Sequence, residues 1–290
     1  MFTLKLKKKD KIFITSKNAG SGNIIASFVK RKKIKADYHL LEPSLKIFKD
    51  KKINIKHNKK NIFSNAYKFL ITGNSHENKF ELRYIEKARK LNVYSISFLD
   101  HWEKYKKRFR YKTKLFLPNE IVTGDKKSFE LAKKEFKNHK LKISLISNDY
   151  LNQFSKLKIN KNKKSDLVIL SSNVDSLKIK LKDEKVLNLI IKKMQKFLKK
   201  NNIKKIYIKN HPSEKKNKFK KFCNNNRNKF HSKIEIINDH LENIFNNYKY
   251  IAGYDTMALV IAKKFKCNTF NLKIKGRKSV MPKIYIDKFI

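Results

Sequence analysis

The sequence predicts an α/β protein with two Rossmann-like parallel-sheet domains that face a cleft. Short apolar runs rich in β-branched residues alternate with longer segments of helical periodicity, and they do so in both halves of the 290-residue chain. A polar, lysine-rich stretch at residues 152–165 lacks apolar periodicity and indicates a linker. We therefore expect an N-terminal α/β domain over residues 1–155 and a C-terminal one over residues 166–290.

The first half opens with a predicted strand at residues 11–15, a loop of small residues and a helix over residues 24–33. The loop carries two glycines between asparagines, namely Asn18, Gly20, Gly22 and Asn23. It lacks the third glycine of a dinucleotide-binding fingerprint, so an NAD site is not expected. Glycines do let a sugar or phosphate approach the backbone closely, so the loop is a candidate binding segment.

Two later strand ends in this half carry ionisable residues. Asp100 follows the predicted strand at residues 92–99 and stands next to His101 and Trp102. Burial near the tryptophan would make Asp100 a candidate general base, while capping of a helix explains it equally well. A weaker cluster follows the strand at residues 67–72 and contains Asn74, His76 and Glu77.

The second half has its most informative stretch at residues 206–212. Ile206, Tyr207 and Ile208 indicate the end of a buried strand, which leads into a polar loop of Lys209, Asn210, His211 and Pro212. In open α/β sheets, ligands bind where the strands end. An imidazole at that place can bind a phosphate or exchange a proton near neutral pH.

Two more strand ends of the second half carry candidate phosphate ligands. Ser171 and Ser172 follow the predicted strand at residues 166–170, although a simple turn also explains them. Gly253 and Thr256 precede a predicted helix, whose first amides form a potential phosphate site or an ordinary cap. Asp255 would repel phosphate, so Thr256 is the better ligand.

The formal net charge of +49 does not by itself indicate nucleic-acid binding. Of the 73 basic residues only seven are Arg, the residue favoured for reading phosphates and bases, and the lysines are scattered over the chain. Biased usage of Lys, Asn and Ile explains the charge better, and we expect no specific nucleic-acid partner. Contact with an anionic membrane surface stays open.

Other features of composition limit the class of protein. The two cysteines are too few for a disulfide framework, and no spacing suggests zinc. No apolar run approaches the roughly 18 residues of a membrane span, and charge follows the first apolar residues instead of preceding them. We expect a cytoplasmic protein, with peripheral contact to the inner membrane as an extension of that expectation.

The loop from Lys209 to Pro212, followed about 40 residues later by the stretch 252–259, resembles the C-terminal half of bacterial GT-B-type glycosyltransferases with an HP motif. The pattern is similar to sialyltransferases and polysialyltransferases, and teichoic-acid glycerophosphotransferases carry a similar K-x-HP loop. The segment 99–109 looks like one found in bacterial surface-polysaccharide proteins. Asp255 departs from the pattern, because a Ser is usual there.

The resemblance implies a glycosyltransferase of surface-polysaccharide biosynthesis, with a nucleotide-activated donor that is CMP-sialic-acid-like. His211 would bind the donor phosphate and help the leaving group depart, and Asp100 would be the base. The acceptor, a glycan or a lipid-linked glycan, would meet the first domain, where His76 and Glu77 are reserve bases. We expect no metal and no cofactor. The donor-binding residues would be Ser171, Ser172, Lys209, Asn210, Pro212, Gly253 and Thr256.

Two other functions stay open at this stage. A nucleotide-sugar 2-epimerase-like enzyme would share the two-domain architecture, but the sequence shows no convincing pair of carboxylates for proton exchange. A non-enzymatic basic protein bound to nucleic acid or membrane would explain the charge, but the few arginines and the lack of a nucleic-acid motif argue against it.

Overall fold

The computed structural model describes residues 9–59, 62–74, 79–155, 157–172, 181–211, 214–215, 217–226, 230 and 232–290. The chain forms two compact units, Met1–Gln153 and Phe154–Ile290. Each unit contains a six-stranded sheet whose described strand pairs are all parallel, and the strands alternate with helices. The predicted class, two Rossmann-like parallel-sheet domains, is confirmed.

The first unit has its sheet in the order β2-β1-β3-β4-β7-β8, and β5 and β6 form a separate short hairpin. Its strands are β1 (Ile12–Ser16), β2 (Asp37–Leu40), β3 (Phe69–Thr72), β4 (Tyr94–Phe98), β5 (Arg110–Tyr111), β6 (Lys114–Leu115), β7 (Glu120–Thr123) and β8 (Lys142–Leu145). The helices assigned from residue 19 to residue 154 are α1 (Ala19–Lys32), α2 (Ser44–Asp50), α3 (Phe80–Lys90), α4 (Tyr105–Arg108), α5 (Lys126–Glu135) and α6 (Asp149–Phe154).

The second unit has the order β11-β10-β9-β12-β13-β14. Its strands are β9 (Lys164–Leu170), β10 (Lys205–Lys209), β11 (Lys233–Ile236), β12 (Tyr248–Gly253), β13 (Asn268–Asn271) and β14 (Lys288–Phe289). The helices assigned there are α7 (Asp183–Lys200), α8 (Lys220–Asn225), α9 (Leu241–Asn247) and α10 (Met257–Lys264). Among the described residues of both units, no helix is both long enough and apolar enough to cross a membrane.

Burial on both faces explains why the central strands are apolar runs. All five residues of β1 are buried, and so are the last four of β9. The amphipathic helix α7 covers one face of the second sheet and buries Ile190, Ile191 and Met194 in the same cluster as Leu167 and Ile206. The strands are thereby held in place by apolar packing, and polar chemistry is confined to their ends.

Several predicted elements differ from the observed ones. Helix α1 begins at Ala19 instead of residue 24, because the small residues that looked like a loop form its first turns. Strand β2 and helix α2 had no clear signal, since Asp37–Leu40 mixes polar and apolar residues. Helix α6 occupies the start of the expected linker. After the Lys209–Pro212 loop the assigned helix is Lys220–Asn225, and residues 212, 213 and 216 lie outside the described residues.

The order of strands reverses beside the first strand of each sheet. Strand β1 lies between β2 and β3, and β9 lies between β10 and β12. At such a switch point, the loops leaving the strand ends diverge and leave a crevice in which α/β proteins bind ligands. We call the side on which the strands of each sheet end its carboxyl edge.

Candidate functional site

The carboxyl edge of the second unit brings together three of the predicted segments. Leu170, the last residue of β9, pairs with Lys209 of β10 on one side and with Gly253 of β12 on the other. The peptide N–H of Ser171 donates to the carbonyl oxygen of Lys209 at 2.9 Å. Residues from the Ser171, His211 and Thr256 segments therefore leave adjacent strands, as the sequence predicts.

A buried carboxylate that the sequence analysis assigned no functional role joins two of these segments. The Glu214 side chain is only 3% exposed. It accepts hydrogen bonds from the Ser171 hydroxyl at 3.0 Å and from the His211 peptide N–H at 2.9 Å. The Lys218 ammonium lies 2.8 Å from Glu214 and also pairs with Asp183 at the start of α7. The sequence does contain one signal for this contact, because Glu214 stands three residues after His211. Capping boxes use this spacing when a Glu side chain accepts a hydrogen bond from the backbone N–H three residues earlier.

His211 is predominantly a neutral imidazole near neutral pH. Burial lowers its pKa, and the Lys218 charge acts in the same direction, against the opposing effects of Glu214 and Asp183. A neutral imidazole can donate one hydrogen bond but carries no extra proton to give away. The lowered pKa therefore favours the neutral form of His211, which can still donate one hydrogen bond to a ligand.

The other residues of this loop are engaged within the second unit. Burial lowers the pKa of Lys209, and its ammonium lies 3.4 Å from the Asn238 carbonyl oxygen. The Asn210 amide donates to the Lys215 carbonyl oxygen at 2.8 Å. Pro212 lies outside the described residues. Ser172 has a buried hydroxyl with no hydrogen-bond partner among the described residues.

The segment before α10 explains how an acidic residue is accommodated there. Thr256 is the N-cap, and its hydroxyl oxygen accepts from the Ala258 N–H at 3.4 Å. Asp255 has a positive φ of 42° and is nearly buried. Its carboxylate accepts from Asn271 at 2.9 Å and Ser279 at 2.5 Å, so it anchors the chain beyond β13. An added Cβ on Gly253 would lie 3.0 Å from the Thr256 methyl carbon, so Gly253 lets the Thr256 side chain pack closely against the end of β12.

At the carboxyl edge of the first unit, the two glycines pack closely against side chains. An added Cβ on Gly20 would lie 2.2 Å from an Asp100 carboxylate oxygen, and one on Gly22 would lie 2.5 Å from the Ser44 hydroxyl. The interpretation of this segment as an open loop is wrong, since both glycines lie inside α1. Asn18 is the N-cap of that helix but makes no side-chain capping bond, and the Asn23 amide donates to the Ala19 carbonyl oxygen at 3.0 Å.

Asp100 is an ion-paired carboxylate. Its Oδ1 lies 2.8 Å from the Arg108 guanidinium, and both side chains are largely buried. Neither sequence interpretation of Asp100 anticipated this pair. Asp100 does not cap the next helix, because the N-cap of α4 is Lys104. The Trp102 indole donates its hydrogen bond to Asp125 at 2.9 Å. The pairing with Arg108 holds the Asp100 carboxylate in place beside the start of α1.

Glu81 is a second carboxyl group at this edge, and the sequence analysis did not identify it as a site residue. It is 1% exposed, and its Oε1 accepts from the Lys17 peptide N–H at 3.1 Å. Its Oε2 has no hydrogen-bond partner among the described residues. Burial raises the pKa of Glu81 to about 7, and the nearby Asp100 charge adds to the effect. Glu81 and Asp100 thus converge on the connection between β1 and α1, in different electrostatic environments.

The remaining predicted residues of the first unit are only partly described. His76 and Glu77 lie outside the described residues. Asn74 is buried, and its carbonyl oxygen accepts from Arg108 at 3.4 Å, which places it beside the Asp100 ion pair. His101 has its pKa lowered to about 3, mainly by burial, so it is neutral throughout the physiological range.

Known structures share the fold of this chain. No family model and no curated protein sequence matches it. Solved structures that match are GT-B-like, and they include UDP-GlcNAc 2-epimerase from Methanocaldococcus jannaschii, at 13% identity and a TM-score of 0.57 over 90% of this chain and 83% of that one. The S. aureus MnaA–UDP co-structure matches at 11% identity, TM-score 0.62, over 91% and 79%. Acinetobacter baumannii MurG matches at 7% identity, TM-score 0.50, over 92% and 80%. These similarities establish the GT-B-like fold.

The packing of Gly20 against Asp100 predicts an unusual effect of a helix-favouring substitution. Ala is normally favoured over Gly in a helix by up to about 1 kcal/mol. Gly20→Ala should instead destabilise the protein by about 1–3 kcal/mol, because the new methyl group displaces Asp100. Chemical denaturation measures the difference, with Lys30→Ala on the exposed face of α1 as the control. A stabilised Gly20→Ala protein would contradict the packing.

Glu81 predicts a pH-dependent contribution to stability. Its folded-state pKa of about 7 lies above its ordinary 4.5, so the folded protein holds the proton where the unfolded chain has lost it. Stability from this group therefore falls as pH rises from about 4.5 to 7, by roughly 3 kcal/mol in total. The Glu81→Gln protein should not show this loss of stability, because the Gln side chain does not ionise.

Measurement of unfolding free energies from pH 4.5 to 8 tests this expectation. The advantage of Glu81→Gln over the wild type should grow with pH and level off above pH 7. Glu130→Gln, which removes an exposed carboxyl group from α5, is the matched control. A constant difference between Glu81→Gln and the wild type across this range would show that the group is not buried as described.

Proposed function

We propose that the protein is a glycosyltransferase of surface-polysaccharide biosynthesis that uses a nucleotide-activated sugar. One observation carries the proposal: Ser171, His211 and Thr256 follow adjacent strands at the switch point of the second unit. This is the position at which the fold favours nucleotide binding. The match to a MnaA–UDP co-structure and to an epimerase bound to UDP-GlcNAc and UDP supports a nucleotide ligand.

In this proposal the donor phosphates lie between His211 and the start of α10. The first amides of α10 and the Thr256 hydroxyl supply hydrogen bonds to phosphate oxygens. The neutral His211 imidazole supplies a further donor. Because these groups stabilise the departing phosphate by hydrogen bonds and by the positive surroundings of a +49 chain, we propose transfer without a metal or cofactor. The donor is proposed to be CMP-sialic-acid-like, from the HP-motif resemblance.

The acceptor is proposed to be a glycan or a lipid-linked glycan bound by the first unit. Asp100 is the proposed base, because its carboxylate is held in a fixed position by Arg108 at 2.8 Å. The excess of lysine gives a physical basis for a peripheral contact with an anionic membrane, where a lipid-linked acceptor would be located.

A nucleotide-sugar 2-epimerase-like reaction is the second candidate, and the carboxyl pair of the first unit favours it. Glu81, whose pKa burial raises to about 7, lies at the same edge as Asp100, which is paired with Arg108, and proton exchange at a sugar carbon requires two such groups close together. Incorporation of solvent deuterium into the sugar, without an acceptor, would identify that reaction. Transfer of sugar to an acceptor without such exchange would identify a glycosyltransferase.

The nucleotide site predicts selective stabilisation by one nucleotide. In a thermal-shift screen of CMP, CDP, UDP and GDP, a ligand at one hundred times its Kd should stabilise the protein by about 2.7 kcal/mol. His211→Ala should weaken this response, because it removes a phosphate hydrogen bond worth about 1.5–3 kcal/mol. His240→Ala, which changes an exposed histidine of the same unit, should respond like the wild type. No shift with any of the four nucleotides would contradict the proposed function.

A further inference from the structure

We propose that Glu214 is the positioning residue of the second unit's carboxyl edge: its carboxylate holds the Ser171 hydroxyl and the His211 backbone in the arrangement that meets a phosphate. The phosphate part of this inference rests on the proposed function. The hydrogen bonds that Glu214 accepts from the two segments do not depend on the proposed function.

Both oxygens of Glu214 are used inside the unit. Oε1 accepts from the Ser171 hydroxyl at 3.0 Å and from the Lys218 ammonium at 2.8 Å, and Oε2 accepts from the His211 N–H at 2.9 Å. In return, the Glu214 N–H donates to the His211 carbonyl oxygen at 2.9 Å. These reciprocal bonds tie His211 to Glu214 and join both residues to Ser171 at the end of β9.

The charge of Glu214 is compensated, which lets it be buried next to a phosphate site. A buried carboxylate without a partner costs several kcal/mol, but Lys218 bridges Glu214 to Asp183. The Ser171 hydroxyl proton is directed to Glu214. Hydrogen bonds to a phosphate therefore fall to His211 and to the amides and hydroxyl at the start of α10, while Ser171 acts as part of the support.

A role limited to stability makes different predictions from a positioning role. If Glu214 only stabilised the fold, its replacement would lower the melting temperature and shift the pKa of His211 through the lost charge, but the folded protein would bind nucleotide as before. If it positions His211, its replacement also weakens nucleotide binding by the folded protein. Three charged groups act on His211, namely Glu214, Asp183 and Lys218, and the first two raise its pKa whereas the third lowers it.

The test uses the full chain and an NMR titration of the His211 imidazole, assigned with His211→Ala. Glu214→Gln should lower the pKa of His211, and Lys218→Met should raise it, while Lys215→Met, a charge-matched change at an exposed neighbour, should leave it in place. Isothermal titration with CMP and UDP should show an increase in Kd of about 10-fold for Glu214→Gln, because it weakens a buried charged network. Ser171→Ala should have a smaller effect than Glu214→Gln.

An unchanged His211 titration in both Glu214→Gln and Lys218→Met would overturn the proposal, as would wild-type nucleotide affinity in folded Glu214→Gln. If Glu214→Gln does not fold, Glu214→Asp, which keeps the charge and shortens the side chain, replaces it, and wild-type nucleotide affinity in folded Glu214→Asp would overturn the proposal. If the wild type binds neither CMP nor UDP, the proposed donor site fails, while the titration still reports whether the Glu214 and Lys218 charges lie beside His211 as described.

Discussion

Burial of both faces of each parallel sheet is the constraint on which the rest of the molecule depends. A central strand such as β1 or β9 has no solvent-facing side, so its interior residues are apolar or are small polar residues with local partners. Charged side chains are tolerated at strand ends, where backbone groups and helix starts can bind them. The chemistry of both units is therefore concentrated at their carboxyl edges.

The two units bury acidic side chains at their carboxyl edges in different ways. In the second unit, Glu214 and Asp183 share the ammonium of Lys218. In the first unit, Arg108 pairs with Asp100, whereas Glu81 accepts peptide hydrogen bonds and has no ion-pair partner among the described residues, so burial dominates and its pKa rises to about 7. One edge thus has its charges fixed by pairing, whereas the other contains a group that changes its charge near neutral pH.

The sequence allowed the fold class and the strand ends to be predicted because apolar runs and helical periodicity are local signals. It allowed the Lys209–Pro212 loop to be placed at a strand end for the same reason. Glu214, Lys218 and Arg108 were not identified as site residues. Their roles depend on contacts with side chains from other segments, which periodicity and local motifs do not reveal. Gly20 was misinterpreted because its close neighbour, Asp100, is 80 positions away along the chain.

The pairing of Leu170 with both Lys209 and Gly253 has a consequence for how such proteins diverge. The three strands that carry the candidate donor residues form a rigid frame, whereas the residues that would meet a ligand are attached just beyond it. Loops can therefore exchange residues and change length without disturbing the frame. Changes in ligand contacts would require substitutions in a small fraction of the chain, and the remainder can vary as long as the apolar pattern persists. This accounts for a shared architecture at sequence identities of 7–13%.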